Sequence, residues 1–420
     1  MHHSFLRYTR LLLIPLLAVG LVLTGCDSTG SNGGDNGDET STFEYPSNDY
    51  GSQTVANLLA FDLGIRTGSD DAVSNNSASN LKALYTGDMN DTTVPSIKGS
   101  PEQSVYGDFE GTVNLSSLTD DTPLVRSQYL ENGDSPDPES QISTNQMLEF
   151  YLERAGSENI VRTDNGIVLS QFAEKMLLGT PIYGRGAAIL NDFANGNVSG
   201  DQAEQWDKAF GYFGFPRALE PFLDYSGGVE GLATDGGDDP IIARDLDENG
   251  SVDLTSEYVH TWAAYAIERS AAAQQTGEPN DFAGKAFEAL VQGRKDIENG
   301  DSPSDHAQTA LNAWEKVVAV NVIHYINSME STLNSDEVSG TLSQGDIDEG
   351  AWGEAKAFAW GLQFYNSALS ETQLNDILED IGNAPPYGEM TAEEYANELE
   401  AATGILQDAY DFKDTNVQNW

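Results

Sequence analysis

The stretch Asp245-Leu-Asp247-Glu-Asn249-Gly250-Ser251-Val252-Asp253 sets oxygen-bearing side chains at alternate positions and bends at a glycine. A hard cation such as Ca²⁺ needs six to eight oxygens at short range, supplied by a backbone that turns sharply around it. With Asp245 at position one of a calcium loop, Asp247 and Asn249 fall at three and five, and Gly250 at six, where the chain must turn. Ser251 offers its carbonyl at seven, Val252 is the β-branched residue at eight, and Asp253 stands at nine. Position twelve, where a bidentate Glu belongs, is Ser256; the acid Glu257 comes one residue later. No amphipathic helix precedes the loop, so the pattern departs from an EF-hand. It reads as a calcium loop leading into a helix, with Glu257 in that helix's first turn as the closing ligand. The acidic run Asp235-Gly-Gly-Asp-Asp239 upstream offers a further ligand or only more loop. The rival reading is an Asp-rich turn in an acidic protein; four matched positions in order, with glycine at the turn, favour calcium.

Other chemistry-bearing residues are sparse. Beyond the N-terminal segment the histidines are His260, His306 and His324, with no HExxH pair and no metal-ligand spacing. His324 sits in a strongly apolar helical pattern, where a lone histidine is expected to be a hydrogen-bonded core residue. His260 lies three residues after Glu257, which suits a solvated pair better than a ligand set. There is no GxSxG elbow and no P-loop, and Gly184-Arg-Gly186 lacks the third glycine of a nucleotide motif. Aromatic stretches such as "QWDKAFGYFGFP" and "AWGEAKAFAWGLQFY" read as core. No carboxylate couple can be singled out for glycoside chemistry, because acid is everywhere.

That abundance is a property of the whole chain: 20 Lys and Arg face 68 Asp and Glu, for a net charge of −48. Phosphate would be repelled, which excludes nucleic acid as a partner class. The 39% hydrophobic and 9% aromatic content argues for a real core beneath an acid-coated surface, as in salt-adapted proteins whose self-repulsion is screened by salt.

The N-terminus reads as a targeting segment over residues 1–25. Arg7 and Arg10 precede the apolar "LLLIPLLAVGLVL", which is too short for a comfortable membrane span. It ends in "LTGC" at Cys26, which resembles the lipobox of bacterial lipoproteins, where the Cys carries the lipid. Cys26 is the only cysteine, so no disulfide can form within the chain. Residues 26–42 then read as a flexible Gly/Ser/Asp tether. The expected location is the cell envelope, anchored through lipid and facing the periplasm or the surface, with the outer membrane preferred.

From residue 43 onward the pattern is mainly helical. Apolar residues recur at helical spacing in "SQTVANLLAFDLGIR", "ISTNQMLEFYLERAG", "VLSQFAEKMLLGTPIYGRGAAILNDF" (broken in two by Pro181), "TSEYVHTWAAYAIERSAAAQQ" and several later segments. Two stretches lose the pattern. One, near 87–138, predicts a long irregular or small β insertion. The other, 215–254, contains the calcium-type loop and divides the helices into halves of roughly 43–225 and 255–420.

Taken in order, "DYGSQTVANLLAFDL", "LKALYTG", "VLSQFAEKMLLGTPIY", "QWDKAFGYFGFP", "DLDENGSVDLTSEY", "LVQGRKDI", "AWEKVVAVNVIHYIN" and "GEAKAFAWGLQFY" resemble the imelysin-like lipoproteins of Bacteroidetes-type bacteria, catalogued as a domain of unknown function. The resemblance covers nearly all of residues 43–420, and "WDKAFGYFG" is its most specific piece. It implies a helical array of two bundle halves, an exported lipoprotein, kinship with imelysins and a link to iron or haem uptake. It also supports calcium at the Asp245 loop. Imelysins carry a His-x-x-Glu pair proposed to bind metal, and relatives often read His-Trp-Asp-Glu before "AFGYFG". Here Gln205, Trp206, Asp207 and Lys208 occupy those places, which argues against a peptidase or iron site there. The sequence therefore predicts a non-enzymatic, lipid-anchored helical protein with a structural Ca²⁺, binding an envelope protein or a small ligand. An imelysin-type metal-dependent role in iron or haem uptake is the alternative.

Overall fold

In the computed structural model the described residues are 42–44, 50–68, 76–88, 90–95, 100–109, 113–119, 122–130, 135–137, 139–158, 160–223, 242–277, 280–335 and 337–420. Cys26, the segment 1–25, most of the tether and the acidic run at 235–239 lie outside them. The fold is mainly helical. In chain order the helices are α1 (Gly51–Thr67), α2 (Ala78–Thr86), α3 (Leu115–Leu118), α4 (Thr144–Glu158), α5 (Leu169–Leu177), α6 (Tyr183–Ala194), α7 (Gln202–Phe213), α8 (Thr261–Gln275), α9 (Phe282–Asn299), α10 (Ser304–Leu333), α11 (Glu349–Gly361), α12 (Glu371–Ile381), α13 (Ala392–Tyr410) and α14 (Asp414–Val417). Two short strands, β1 (Ile242–Ala243) and β2 (Tyr258–Val259), pair antiparallel between α7 and α8. Among the described residues no helix is long and apolar enough to cross a membrane.

Local sequence explains where the helices begin and end. The carboxylates of Asp201, Asp281 and Asp348 accept from the first-turn amides of α7, α9 and α11, and Ser370 and Thr391 open α12 and α13 with capping boxes. Pro181 does not split the run 169–194 as its sequence suggests. One π turn, Leu178–Ile182, joins α5 to α6. The wider turn accommodates a residue that has no amide hydrogen to donate. The helix expected from Thr255 begins only at Thr261, because Tyr258 and Val259 pair with β1. Glu257 is thus in the loop and not in a helical first turn.

The 30-residue helix α10 is the axis of the molecule. It packs against α6, α8, α9, α11 and α13, while α5 packs on α1 and α11. Helices from both sequence halves surround it, and residues 40–420 form one unit. In the stretch 87–138 the described residues form isolated bridges (Thr93 with Val105, Pro101 with Val252, Pro123 with Ser143), tight turns and the short α3. They contain no multi-residue strand. Among the contacts that tie this stretch down, two reach α1 and the end of α11. Tyr106 donates its hydroxyl to the buried Asp62 of α1 at 2.9 Å. Trp360 and Gln363, at and just beyond the end of α11, donate to the carbonyls of Val125 and Pro123.

The segments "WDKAFGYFG" and "LVQGRKDI" face each other across α7 and α9. The Trp206 indole N–H donates to the Leu290 carbonyl at 2.7 Å, and Arg294 Nε donates to Asp207 Oδ1 at 2.8 Å. A Cβ on Gly293 would lie 2.2 Å from the Trp206 ring, so only glycine lets the indole in. Trp206, Asp207 and Arg294 are buried, whereas Gln205 is half-buried and Lys208 pairs with Glu204 on the outer face. Removing one partner of the buried pair strands the other charge. Arg294→Met should therefore lower unfolding free energy by about 3–5 kcal/mol, while Glu204→Ala, which breaks a solvent-facing pair, should cost less than ~1 kcal/mol. Urea denaturation of the two variants checks the contrast, and equal small losses would refute the buried pair's role.

Candidate metal centre

The loop between β1 and β2 is closed at its base by the register Ile242 to Val259 and Ala243 to Tyr258. Inside that frame the side chains at positions one, three and five shape the turn. Asp245 accepts from the amides of Asn249 (3.0 Å) and Gly250 (2.8 Å), and Asp247 accepts from Asn249 at 3.1 Å. Two residues have positive φ, Glu248 at 59° and Gly250 at 95°. At Gly250 no atom would obstruct a Cβ, so the backbone angle alone calls for glycine. The sequence expectation of a sharp bend at that position holds.

Asp245, Asp247 and Glu257 converge: one oxygen of each lies within 4.8 Å of the others. Asp247 is exposed and Glu257 is buried. The other expected ligands are engaged elsewhere. The Asn249 side-chain oxygen accepts from the amide and hydroxyl of Ser251, and its Nδ2 donates to Glu102 Oε1 at 2.9 Å. The Ser251 hydroxyl also reaches Glu102, at 3.1 Å. Asp253 turns toward Gln103, Thr255 and Ser256, accepting from all three.

Glu257 differs most from its expected role. Its Oε1 accepts from the amides of Leu246 and Asp247 and from Arg217 Nη2 at 2.6 Å; Oε2 accepts from the Asp253 amide at 3.0 Å. Three donors fill Oε1, so only Oε2 keeps a lone pair for a cation. Glu257 is chiefly a staple that ties both limbs of the loop to Arg217, and at most a one-oxygen ligand in this arrangement. A hard cation would draw its remaining oxygens from Asp245, Asp247, the Ser251 carbonyl, water, and Asn249 or Asp253 after rotation.

Three contributors were not legible in the sequence. Glu102 and Gln103 come from the irregular stretch, brought in by backbone bonds from Val252 N to Ser100 O and from Glu102 N to Val252 O, both 2.9 Å. Arg217, between Pro216 and Ala218, carries no motif. These contacts span between 40 and 151 residues of sequence separation, beyond any local signal.

The histidines do not join the site. His260 is buried, its Nε2 lies 2.9 Å from the Leu254 carbonyl, and its amide donates to the Gly214 carbonyl. Burial pulls its pKa down from 6.5 to about 4. His306 lies 3.4 Å from Asp296. His324 contacts Tyr325, and burial lowers its pKa to about 3. Gln205 and Lys208 share one face of α7, but Lys208 is held by Glu204 at 2.6 Å. Comparison of the chain with protein-family models, curated proteins and solved structures found no match.

Two outcomes follow from this geometry. Glu257→Gln should destabilise the protein by about 2–3 kcal/mol in chelator, since the Asp253 amide loses its acceptor and Arg217 its counter-charge; an unchanged urea midpoint would contradict the staple. His260 is neutral in the fold down to about pH 4, whereas the unfolded residue takes a proton near 6.5. Between those values the unfolded chain holds more protons, so this residue's contribution is complete above pH 6.5 and declines by up to roughly 3 kcal/mol as pH falls to 4. The difference in stability between wild type and His260→Gln, followed from pH 7 to 4, should show that slope; a flat difference would refute it.

Proposed function

We propose that the protein is an exported, lipid-anchored helical protein of the cell envelope that binds a partner or small ligand and uses the Asp245 loop as a structural calcium clamp. The observation that carries the calcium reading is the convergence of Asp245, Asp247 and Glu257 in a loop whose glycine and Asx contacts follow the calcium-loop order. The anchor reading rests on "LTGC" at Cys26 and the polar tether after it. The finer arrangement, an imelysin-like array of two bundle halves, rests on the sequence resemblance. A non-enzymatic role is favoured because Gln205 and Lys208 replace the His and Glu of the metal pair, and because the buried His260 is tied to a backbone carbonyl.

The clamp has a mechanical rationale. The loop joins β1 to β2 and thereby the end of α7 to the start of α8, and it also grips the irregular stretch through Glu102 and Gln103. A cation drawing Asp245, Asp247 and Glu257 together would relieve their mutual repulsion and stiffen that junction.

Calorimetric titration of Ca²⁺ into chelator-treated protein should show one saturable site that Asp245→Ala with Asp247→Ala abolishes. Equal weak binding by both proteins would mean that only diffuse surface charge attracts the ion. A stoichiometric iron or haem content after exposure to either would favour the iron-uptake alternative instead.

A further inference from the structure

Away from the loop, one cavity carries a charge opposite to that of the rest of the chain. It lies where the π turn meets α6, beside α3 and the start of α4, and measures about 130 Å³. Its wall combines apolar surface from Pro181, Ala188 and Phe364 with polar groups from Thr144, Thr180 and Arg185.

The cation is unusual in being uncompensated. Arg185 Nε donates to the Leu118 carbonyl at 2.8 Å, which orients the guanidinium plane. Its two Nη groups have no hydrogen-bond or carboxylate partner among the described residues. Among the described guanidiniums only Arg185 and Arg244 have no carboxylate within 4 Å, and Arg244 lies over the Phe222 ring. Thr144 is also incomplete: it is 1% exposed and its hydroxyl has no partner, a deficit folded proteins seldom leave. The Thr180 hydroxyl, in contrast, already donates to the Met176 carbonyl and that of Thr119 to Ser116.

The donors at this wall without a partner are the exposed Nη groups and the Thr144 hydroxyl, which is closed to solvent and meets a ligand only after the side chain rotates. A ligand that only accepts is therefore complementary, and the fork of Nη1 and Nη2 matches the two oxygens of a carboxylate. Size limits the rest of it. A cavity of roughly 150 Å³ accommodates benzene, so this one holds a carboxylate with a short tail. The apolar wall gives that tail a surface to cover.

We propose that this cavity binds a free aliphatic monocarboxylate of about three to five carbons, with its carboxylate on Arg185 and Thr144 and its chain against Pro181, Ala188 and Phe364. This names a ligand class for the binding role proposed above, and it does not involve the calcium loop. The π turn contributes by placing Pro181, which needs no amide partner, in the wall.

Butyrate titrated calorimetrically into the full-length protein in chelator should bind at one saturable site, while butylammonium should not bind there. Arg185→Gln should weaken butyrate by about tenfold or more, as loss of a bidentate charged contact does. Ala188→Phe should block it by filling the cavity while leaving Arg185 in place. Both positions are exposed, so the variants should stay folded, with Arg185→Gln costing at most about 1 kcal/mol for the lost Leu118 bond. Absence of saturable butyrate binding by the wild type, or equal affinity in Arg185→Gln, would overturn the proposal. Ca²⁺ titration of the same samples reads the calcium site separately, so failure of either leaves the other standing.

Discussion

The helix α10 is apolar on nearly every side, and that constraint organises the fold. Leu311, Trp314, Val317, Val318, Val320, Ile323 and Ile326 are all buried and lie around its circumference. A single partner could cover only one stripe of such a helix. It needs neighbours all round, and the chain supplies them from both sides of the loop region. The polar residues that interrupt α10 are satisfied individually. Glu315 accepts from the amide and hydroxyl of Ser367 and from the Tyr410 hydroxyl, and Asn321 accepts from Arg269. Each such contact costs little when made and a good deal when broken. They fix which neighbour lies where along an otherwise greasy rod.

The Asp245 loop meets a different constraint. It must turn tightly in a part of the chain where like charges crowd together. The turn is held by main-chain amides donated to Asp245, Asp247 and Glu257, together with one guanidinium. Those bonds define the loop's shape, and they also point three carboxylates at a common place. The two roles compete at Glu257. The more completely its oxygens serve the backbone, the fewer lone pairs remain for a cation. A calcium-bound loop would therefore lean on Asp245 and Asp247 and use Glu257 mainly to keep them in position.

Much of the architecture was legible in the sequence because it is local. Helical spacing marked the helices, and Gly250 marked the bend in the loop. What was not legible is what joins distant segments. Pro181 announces a break, but whether a helix stops there or continues through a π turn depends on the packing of α5 and α6 against α11 and α10. Glu257 falls one place late for an EF-hand, and periodicity assigned it to a helix. Pairing with β1 instead holds Tyr258 and Val259 extended. Glu102, Gln103 and Arg217 carried no signal, since each acts only through a partner far away in sequence.

The scarce cations follow a pattern of their own. Arg294, Lys175, Arg269 and Lys356 are buried at helix contacts, where they meet Asp207, Glu174 with Glu354, Asn321, and the carbonyls of Leu378 and Gly382. Arg217 is half-buried against Glu257. An isolated surface ion pair contributes little, whereas a buried carboxylate without a partner is expensive. Surface pairs such as Lys208 with Glu204 add little, so the buried contacts account for most of what the cations contribute to the fold. Arg185 belongs to neither group: it is exposed, it pairs with no carboxylate, and it borders a cavity with an unsatisfied hydroxyl. Its Nε ties α6 to the Leu118 carbonyl, and the Nη donors that remain are complementary to an incoming carboxylate.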